Sequence, residues 1–411
     1  MKYIKTFPLD NSAAIHLAAR SRHHSNAFRI TVSLKESVCP QTLQEAVARI
    51  TPRFPSVIAG IRAGIFQYSL VPVRTPPSIC HDTVCLAPMT QAEIKSCAVR
   101  FLYRGDQISA EFFHSLTDGY GGMVVLNTLA AEYLKLRYGC RIPVSAMTFD
   151  RSETPALAEL SDDYLIYAGL HARPPRQEAA YQLPGRAVKS GIPQMTARFY
   201  SADEVSAAAH RYGVSVTTLL SAVMAASILR IQRSHGENGR AVQIMIPVNL
   251  RKLFNSCTLR NFALFALLRV QPDECTWTLE KLTRLCSAQM QEQNTADYMS
   301  AVMAGNKTAA LFPLFRILPL PLKTLLLRIV HELYGERTSC ISLSNLGVIT
   351  LPEEMREYVA WLDFLLTPRM KSPYNCGVVT YDGVMSIGFT RLCPEPELET
   401  VFFSTLEHIL K

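Results

Sequence analysis

The sequence predicts an α/β protein made of two similar halves, and three observations carry that prediction. The chain has 411 residues, 48% hydrophobic and 18% charged, too many for one ordinary core and balanced like a globular protein. From Ala172 to Pro193 it becomes rich in Pro, Arg, Gln and Gly and loses periodicity, the mark of a linker. A unit of strand, turn and helix occurs on both sides of that linker, around His114 and again from Val384. The expected division is an N-terminal half over 1–171, a linker over 172–194 and a C-terminal half with a crossover segment over 195–411.

The first half reads as a strand and a helix within 28–50, a Pro-rich irregular passage over 71–88, a hairpin, and then a strand-to-helix junction. Val99–Tyr103 and Gln107–Phe113 are the hairpin strands, joined by the turn signal Arg104-Gly105-Asp106. That triplet is read as a turn, not as a cell-adhesion signal. Gln107–Phe113 alternates in polarity and gives way to a helix opening at Gly119-Tyr120-Gly121-Gly122. The second half begins near Met195. In it Val384–Phe389 forms a strand after the turn Asp382-Gly383, and Pro396–Leu410 forms a helix.

Composition excludes several classes. The net charge of +8 is spread along the chain without a basic run, and aromatic residues do not interleave with it, so nucleic acid is not the expected partner. A mild positive field suits an anionic small molecule or an acidic protein equally well. The eleven cysteines include no Cys-x-x-Cys pair and no zinc spacing; buried free thiols and no metal are expected. The segment from Met1 to Pro8 lacks a signal-peptide core, and no window has the ~18 apolar residues of a spanning helix, so a cytoplasmic location is expected.

His114-Ser-Leu-Thr-Asp118-Gly119 stands at the strand-to-helix junction. An imidazole at a strand end, an acid four residues on and glycines that let the backbone turn and approach a ligand suit a positioned general base. Overlaying Phe389 on Phe113 sets Thr390 at the histidine position with no Asp-Gly behind it, so one half alone keeps a base.

This junction resembles the HxxxDG motif of the chloramphenicol acetyltransferase-like superfamily. That group holds CoA-dependent acyltransferases, plant BAHD acyltransferases, wax ester synthases, alcohol acetyltransferases and the condensation domains of nonribosomal peptide synthetases. Phe28–Leu34 with Thr42–Ile50 looks like its first strand and helix, and Arg53-Phe-Pro-Ser-Val-Ile-Ala-Gly60 resembles the segment that follows. Val214–Ile231 resembles the long helix opening its second domain, Ile246-Pro-Val-Asn-Leu-Arg251 its central strand, and Ser344-Asn-Leu-Gly347 its Asn-Gly turn. The likeness spans nearly the whole chain. Phe113 stands where peptide condensation domains carry a second histidine, which favours an ester- or amide-forming acyltransferase, nearest in pattern to bacterial alcohol acetyltransferase-like proteins. The plant enzymes' Asp-Phe-Gly-Trp-Gly sequence is absent.

The resemblance implies two halves, each a mixed β-sheet flanked by helices, packed as a V around a tunnel. It also implies a monomer that moves an acyl group from acyl-CoA to an alcohol or amine with no bound cofactor. Two alternatives stay open: an acyl-phosphopantetheine thioester on a carrier protein acting in trans, and a catalytically idle binding protein of the same fold. His114 would be the general base. Asp118 would turn away from it and pair with an arginine, for which Arg251 is the candidate; a solvated surface position is the competing reading of Arg251. Gly119 would let the donor approach the base, while Gly121 and Gly122 do likewise or simply shape the turn. Ser344 or Asn345 would supply an oxyanion donor or belong to a purely structural turn. Tyr374 and Asn375 line the tunnel or sit in the core, and His23, His24 and His171 receive no chemistry. Leu311, Leu314, Phe315 and Leu318, then Leu322, Leu325, Leu326 and Ile329, follow helical spacing on either side of Pro319 and Pro321. Such a kinked amphipathic pair over 311–330 packs on a core, closes over an acyl tunnel, or rests on a membrane with Arg316, Lys323 and Arg328 beside it.

Overall fold

The computed structural model describes residues 6–9, 11–21, 24–172, 178–185, 188, 190–237, 239–272, 277–311, 317–330 and 337–411. His23, Leu314, Phe315 and Arg316 lie outside them, as does part of the linker.

In the first lobe the strands are β1 (Phe7–Pro8), β2 (Ala27–Leu34), β3 (Ala59–Ala63), β4 (Tyr68–Pro72), β5 (Cys80–His81), β6 (Val99–Arg104) and β7 (Gln107–Phe113). The helices are α1 (Asn11–Ala18), α2 (Pro40–Ile50), α3 (Gln91–Ser96) and α4 (Gly119–Tyr138). Alternation along β2 explains its position. Phe28, Ile30 and Val32 enter the core, while Arg29 and Thr31 form a buried polar face with Asp82, Ser109 and Glu111. α4 starts at Asp118, whose side chain caps it, and ends at Gly139 in the left-handed region (φ 70°). Every residue from Gly121 to Leu134 is buried, so α4 is a central helix without a solvated face.

The second lobe holds β8 (Gln194–Ser201), β9 (Val242–Asn249), β10 (Ala263–Val270), β11 (Ile341–Val348), β12 (Val359–Leu366), β13 (Tyr374–Tyr381) and β14 (Val384–Arg391). Its helices include α5 (Asp163–Tyr167), α6 (Ala202–Arg211), α7 (Val216–Ser234), α8 (Arg251–Phe254), α9 (Leu279–Gln293), α10 (Ala296–Leu311) and α11 (Leu320–Val330), with Glu397–Leu410 last. Six strands form a mixed sheet in the order β10-β9-β11-β13-β14-β8. α7 and the last helix bury Leu219, Val223, Phe402 and Phe403 in a second core.

β12 departs from chain order. It pairs antiparallel with β2, Leu366 opposite Phe28 and Leu362 opposite Val32, which makes a five-stranded first-lobe sheet β12-β2-β7-β6-β5. Its other face packs on the second sheet, where a Cβ at Gly377 would stand 2.1 Å from the Phe364 carbonyl oxygen. Glycine is what allows the two sheets to approach there.

Two expectations change and one element is added. β9 is second from the edge of its sheet, not central; it pairs with β11 only at Ile244 and Met245, and Pro247, lacking an N–H, lies beyond that ladder. The passage over 71–88 is irregular as expected apart from the end of β4 and the two-residue β5; the unforeseen element is the hairpin ahead of it, β3 with β4, which joins β1 in a small sheet. The described part of 172–194 is no free linker: Ala180 and Tyr181 donate backbone hydrogen bonds to Arg337 and Ala241, and Tyr181 and Leu183 are buried. Loss of periodicity signals an absent repeat, not exposure. The described cysteines are free thiols; Cys286, Cys340, Cys376 and Cys393 are buried, while Cys80 and Cys257 are exposed. Among the described residues no single helix is long and apolar enough to cross a membrane. One bent pair, α6 with α7, meets length and composition alone, and α7 is largely buried.

Candidate active site

The departure of β11 from β9 opens the second sheet opposite the end of β7. Past Met245, β9 stays with β10 while β11 continues along β13. A cavity of about 120 Å³ lies in this gap. Pro247, Asn249, Ser344 and Leu346 border it from the second lobe and His114, Gly119, Met123 and Phe28 from the first, with Phe364 of β12. It holds the volume of roughly four waters, and its border is mainly apolar.

His114 follows β7 directly. Its backbone N–H donates to the Asn26 carbonyl at 2.8 Å. The ring lies face to face with His16 of α1, centroids 4.6 Å apart and planes at 19°, and edge-on to Phe28 at 5.2 Å. Nδ1 is sealed from solvent without a hydrogen bond of normal geometry. Burial pushes the imidazole below its ordinary pKa, while its own backbone carbonyl and the Asp118 carboxylate pull the other way. His16 is held in turn, Asn26 Nδ2 donating to its Nδ1 at 2.6 Å and Asn261 Nδ2 standing 3.5 Å from its Nε2. The sequence carries no sign of His16, whose contact joins residues 98 positions apart.

The Asp118 carboxylate points away from His114. Oδ1 accepts from Gly121 N–H at 3.2 Å; Oδ2 accepts from Arg251 Nη1 and from Phe262 N–H, both at 2.7 Å. Arg251 is buried, not solvated. Its Nε and Nη2 donate to the Thr258 and Arg260 carbonyls, and its guanidinium lies 4.7 Å from the centre of the Tyr120 ring. Thr117 Oγ1 donates to the Leu259 carbonyl at 2.6 Å, so the turn after His114 is fixed to the second lobe by charge and by backbone.

Gly119 borders the cavity, and a Cβ there would meet the end of the Leu346 side chain at 2.5 Å. Gly121 is the stricter position, since its Cβ would come within 2.5 Å of the Leu259 carbonyl oxygen. At Gly122 the obstacle is the Phe28 ring, 2.7 Å away. The Asn345 amide is engaged in its turn, donating to Thr217 Oγ1 at 3.1 Å and accepting from Gly347 N–H at 2.8 Å. Ser344 borders the cavity, and its hydroxyl bonds to no described residue. Tyr374 and Asn375 are buried away from the cavity, donating to the Glu395 and Thr367 carbonyls. Thr390 likewise donates to the Leu366 carbonyl. His24 is buried and His171 exposed, neither at the cavity.

No family model matches the sequence. An uncharacterized protein of Mycobacterium tuberculosis is 26% identical over 301 residues, 69% of this chain and 67% of that one. Solved structures match along nearly the full length. Polyketide synthase associated protein 5 from Mycobacterium tuberculosis has a TM-score of 0.61 at 12% identity, covering 98% of this chain and 97% of its own. The starter condensation domain of rhizomide synthetase, in complex with C8-CoA and Leu-SNAC, has 0.60 at 14% identity, covering 99% and 94%. Wax ester synthase/diacylglycerol acyltransferase from Marinobacter aquaeolei has 0.55 at 12% identity, covering 98% of each. At such identities the likeness establishes the fold. The chain has the two-lobed chloramphenicol acetyltransferase-like architecture shared by condensation domains and acyltransferases.

Proposed function

We propose that the protein is an acyltransferase that moves an acyl group from a phosphopantetheine thioester, carried on CoA, to an alcohol or amine. The observation that carries this reading is the His114 ring: Nδ1 is sealed, the ring borders an apolar cavity between the lobes, and burial favours its neutral form. A neutral imidazole accepts the acceptor's proton at Nε2 as the oxygen or nitrogen attacks the thioester carbon. The tetrahedral oxyanion then forms, with the Ser344 hydroxyl as the candidate donor to it. Collapse of the intermediate breaks the C–S bond, and the thiolate takes the proton back from His114. Asp118 and Arg251 hold the turn without touching the reacting atoms.

A carrier-protein thioester is the second reading, favoured by the condensation-domain fold and by the presence of Leu-SNAC beside C8-CoA in one structure of that fold. Both donors present the same reacting group. The test supplies acyl-CoAs of graded chain length, or an acylated carrier protein, with pooled alcohols and amines, and follows thiol release and product mass. Acceptor-dependent release is expected, reduced about 10²- to 10⁴-fold in His114→Ala. Absence of product from both donor types, or full turnover in the variant, overturns the proposal.

A further inference from the structure

α11 presents its apolar residues outward. Leu320 is buried and Thr324 Oγ1 lies 3.1 Å from the Tyr68 hydroxyl, whereas Leu322, Leu325, Leu326 and Ile329 are 49%, 54%, 46% and 44% exposed. These four occupy positions i, i+3, i+4 and i+7, one continuous helical stripe. The tip of the β3–β4 hairpin extends the same surface, with Ile65 and Phe66 74% and 49% exposed. The two elements are tied together: Leu320 N–H donates to the Ile65 carbonyl and Lys323 Nζ to the Phe66 carbonyl, both at 2.8 Å. The charged side chains of these two elements have one sign: 59–72 and 320–330 contain no Asp or Glu, and exposed Arg62 and Arg328 lie on the hairpin and the helix.

We propose that this face docks the protein peripherally on an anionic lipid surface, Leu322, Leu325, Leu326, Ile329, Ile65 and Phe66 entering the boundary between headgroups and acyl chains. Exposed large apolar side chains on two joined elements, with basic side chains beside them, have the mixed apolar and basic make-up of a surface that lies in a membrane interface. The basic side chains on the two elements add attraction to anionic headgroups, and a chain of net charge +8 approaches such a surface favourably. No covalent step or turnover is involved, so docking stands or falls independently of the acyl-transfer reading.

The test is sedimentation of the purified full-length chain with vesicles of phosphatidylcholine, alone or mixed with phosphatidylglycerol, at low and high salt. Binding to the mixed vesicles, weakened by salt, is expected. Leu325→Gln/Leu326→Gln on the helix and Ile65→Ser/Phe66→Ser on the hairpin should each weaken it at least ~tenfold, and Arg62→Ala should weaken it ~fivefold, with melting temperatures unchanged. Wild-type protein that stays in the supernatant with anionic vesicles at low salt overturns the proposal. So does binding that both double variants retain, or a dimer in sedimentation velocity that either double variant converts to monomer.

Discussion

Two imidazoles lie face to face, and of the two it is His114 that borders the cavity. We propose that His114 moves the proton and that His16 positions and dries it. The depression of the His114 pKa comes first from burial, so removing the ring that covers one face should hydrate the base. His16→Ala is expected to lower kcat and to move the acid limb of the kcat/KM profile up towards the ordinary imidazole value; His16→Phe, which keeps a stacking plane, should largely restore both. Unchanged profiles in His16→Ala would remove the positioning role. The same shift affects stability. A group whose folded pKa is depressed takes up its proton more readily when unfolded, so its contribution, complete above the ordinary imidazole value, is lost as pH falls from that value down through the depressed folded one. At this scale the sequence is legible where chemistry is local, as in the run from His114 to Gly119. It is silent on His16, Asn26 and Asn261, which reach the site from separate segments by tertiary packing.

The turn between β7 and α4 shows how one side chain can serve a helix and an interface together. Asp118 caps α4 and accepts from Arg251 and Phe262 of the other lobe. Breaking a buried pair by removing one partner costs about 3–5 kcal/mol. Arg251→Met and Asp118→Asn should therefore each lower the melting temperature clearly, and the double variant by less than the sum, because one partner's loss already leaves the other unsatisfied. Asp118→Asn with a normal melting temperature and no turnover would instead place that carboxylate in the chemistry. β2 and β7 are readable from their alternation, whereas α4 and α7, largely buried all round, carry little amphipathic period and are readable from their length and, for α4, the Asp-Gly opening. β3 and β4 are not, because they are five residues each among prolines and glycines. Spacing also identifies the stripe along α11 without saying which way it faces, since amphipathic periodicity defines a face but not its neighbour.

At the scale of the molecule, the two sheets meet at one strand. β12 belongs to the first sheet by hydrogen bonds and to the second lobe by sequence, and it touches both. Independent lobes would melt in two steps; here calorimetry is expected to give one transition whose calorimetric and van't Hoff enthalpies agree. Two resolved transitions would mean that the shared strand couples the lobes weakly. The two-lobed α/β plan is legible in length, linker and repeated unit, yet the exchange of β12 is not, because strand pairing across some 330 residues leaves no local trace. It also sets an order of events at the ribosome. A nascent chain released only as far as residue 171 carries β2 with a bare edge, and such an edge invites pairing with other chains. The earlier-made lobe therefore has to wait for nearly two hundred further residues before its sheet can close, and during that interval it is a natural client for a chaperone.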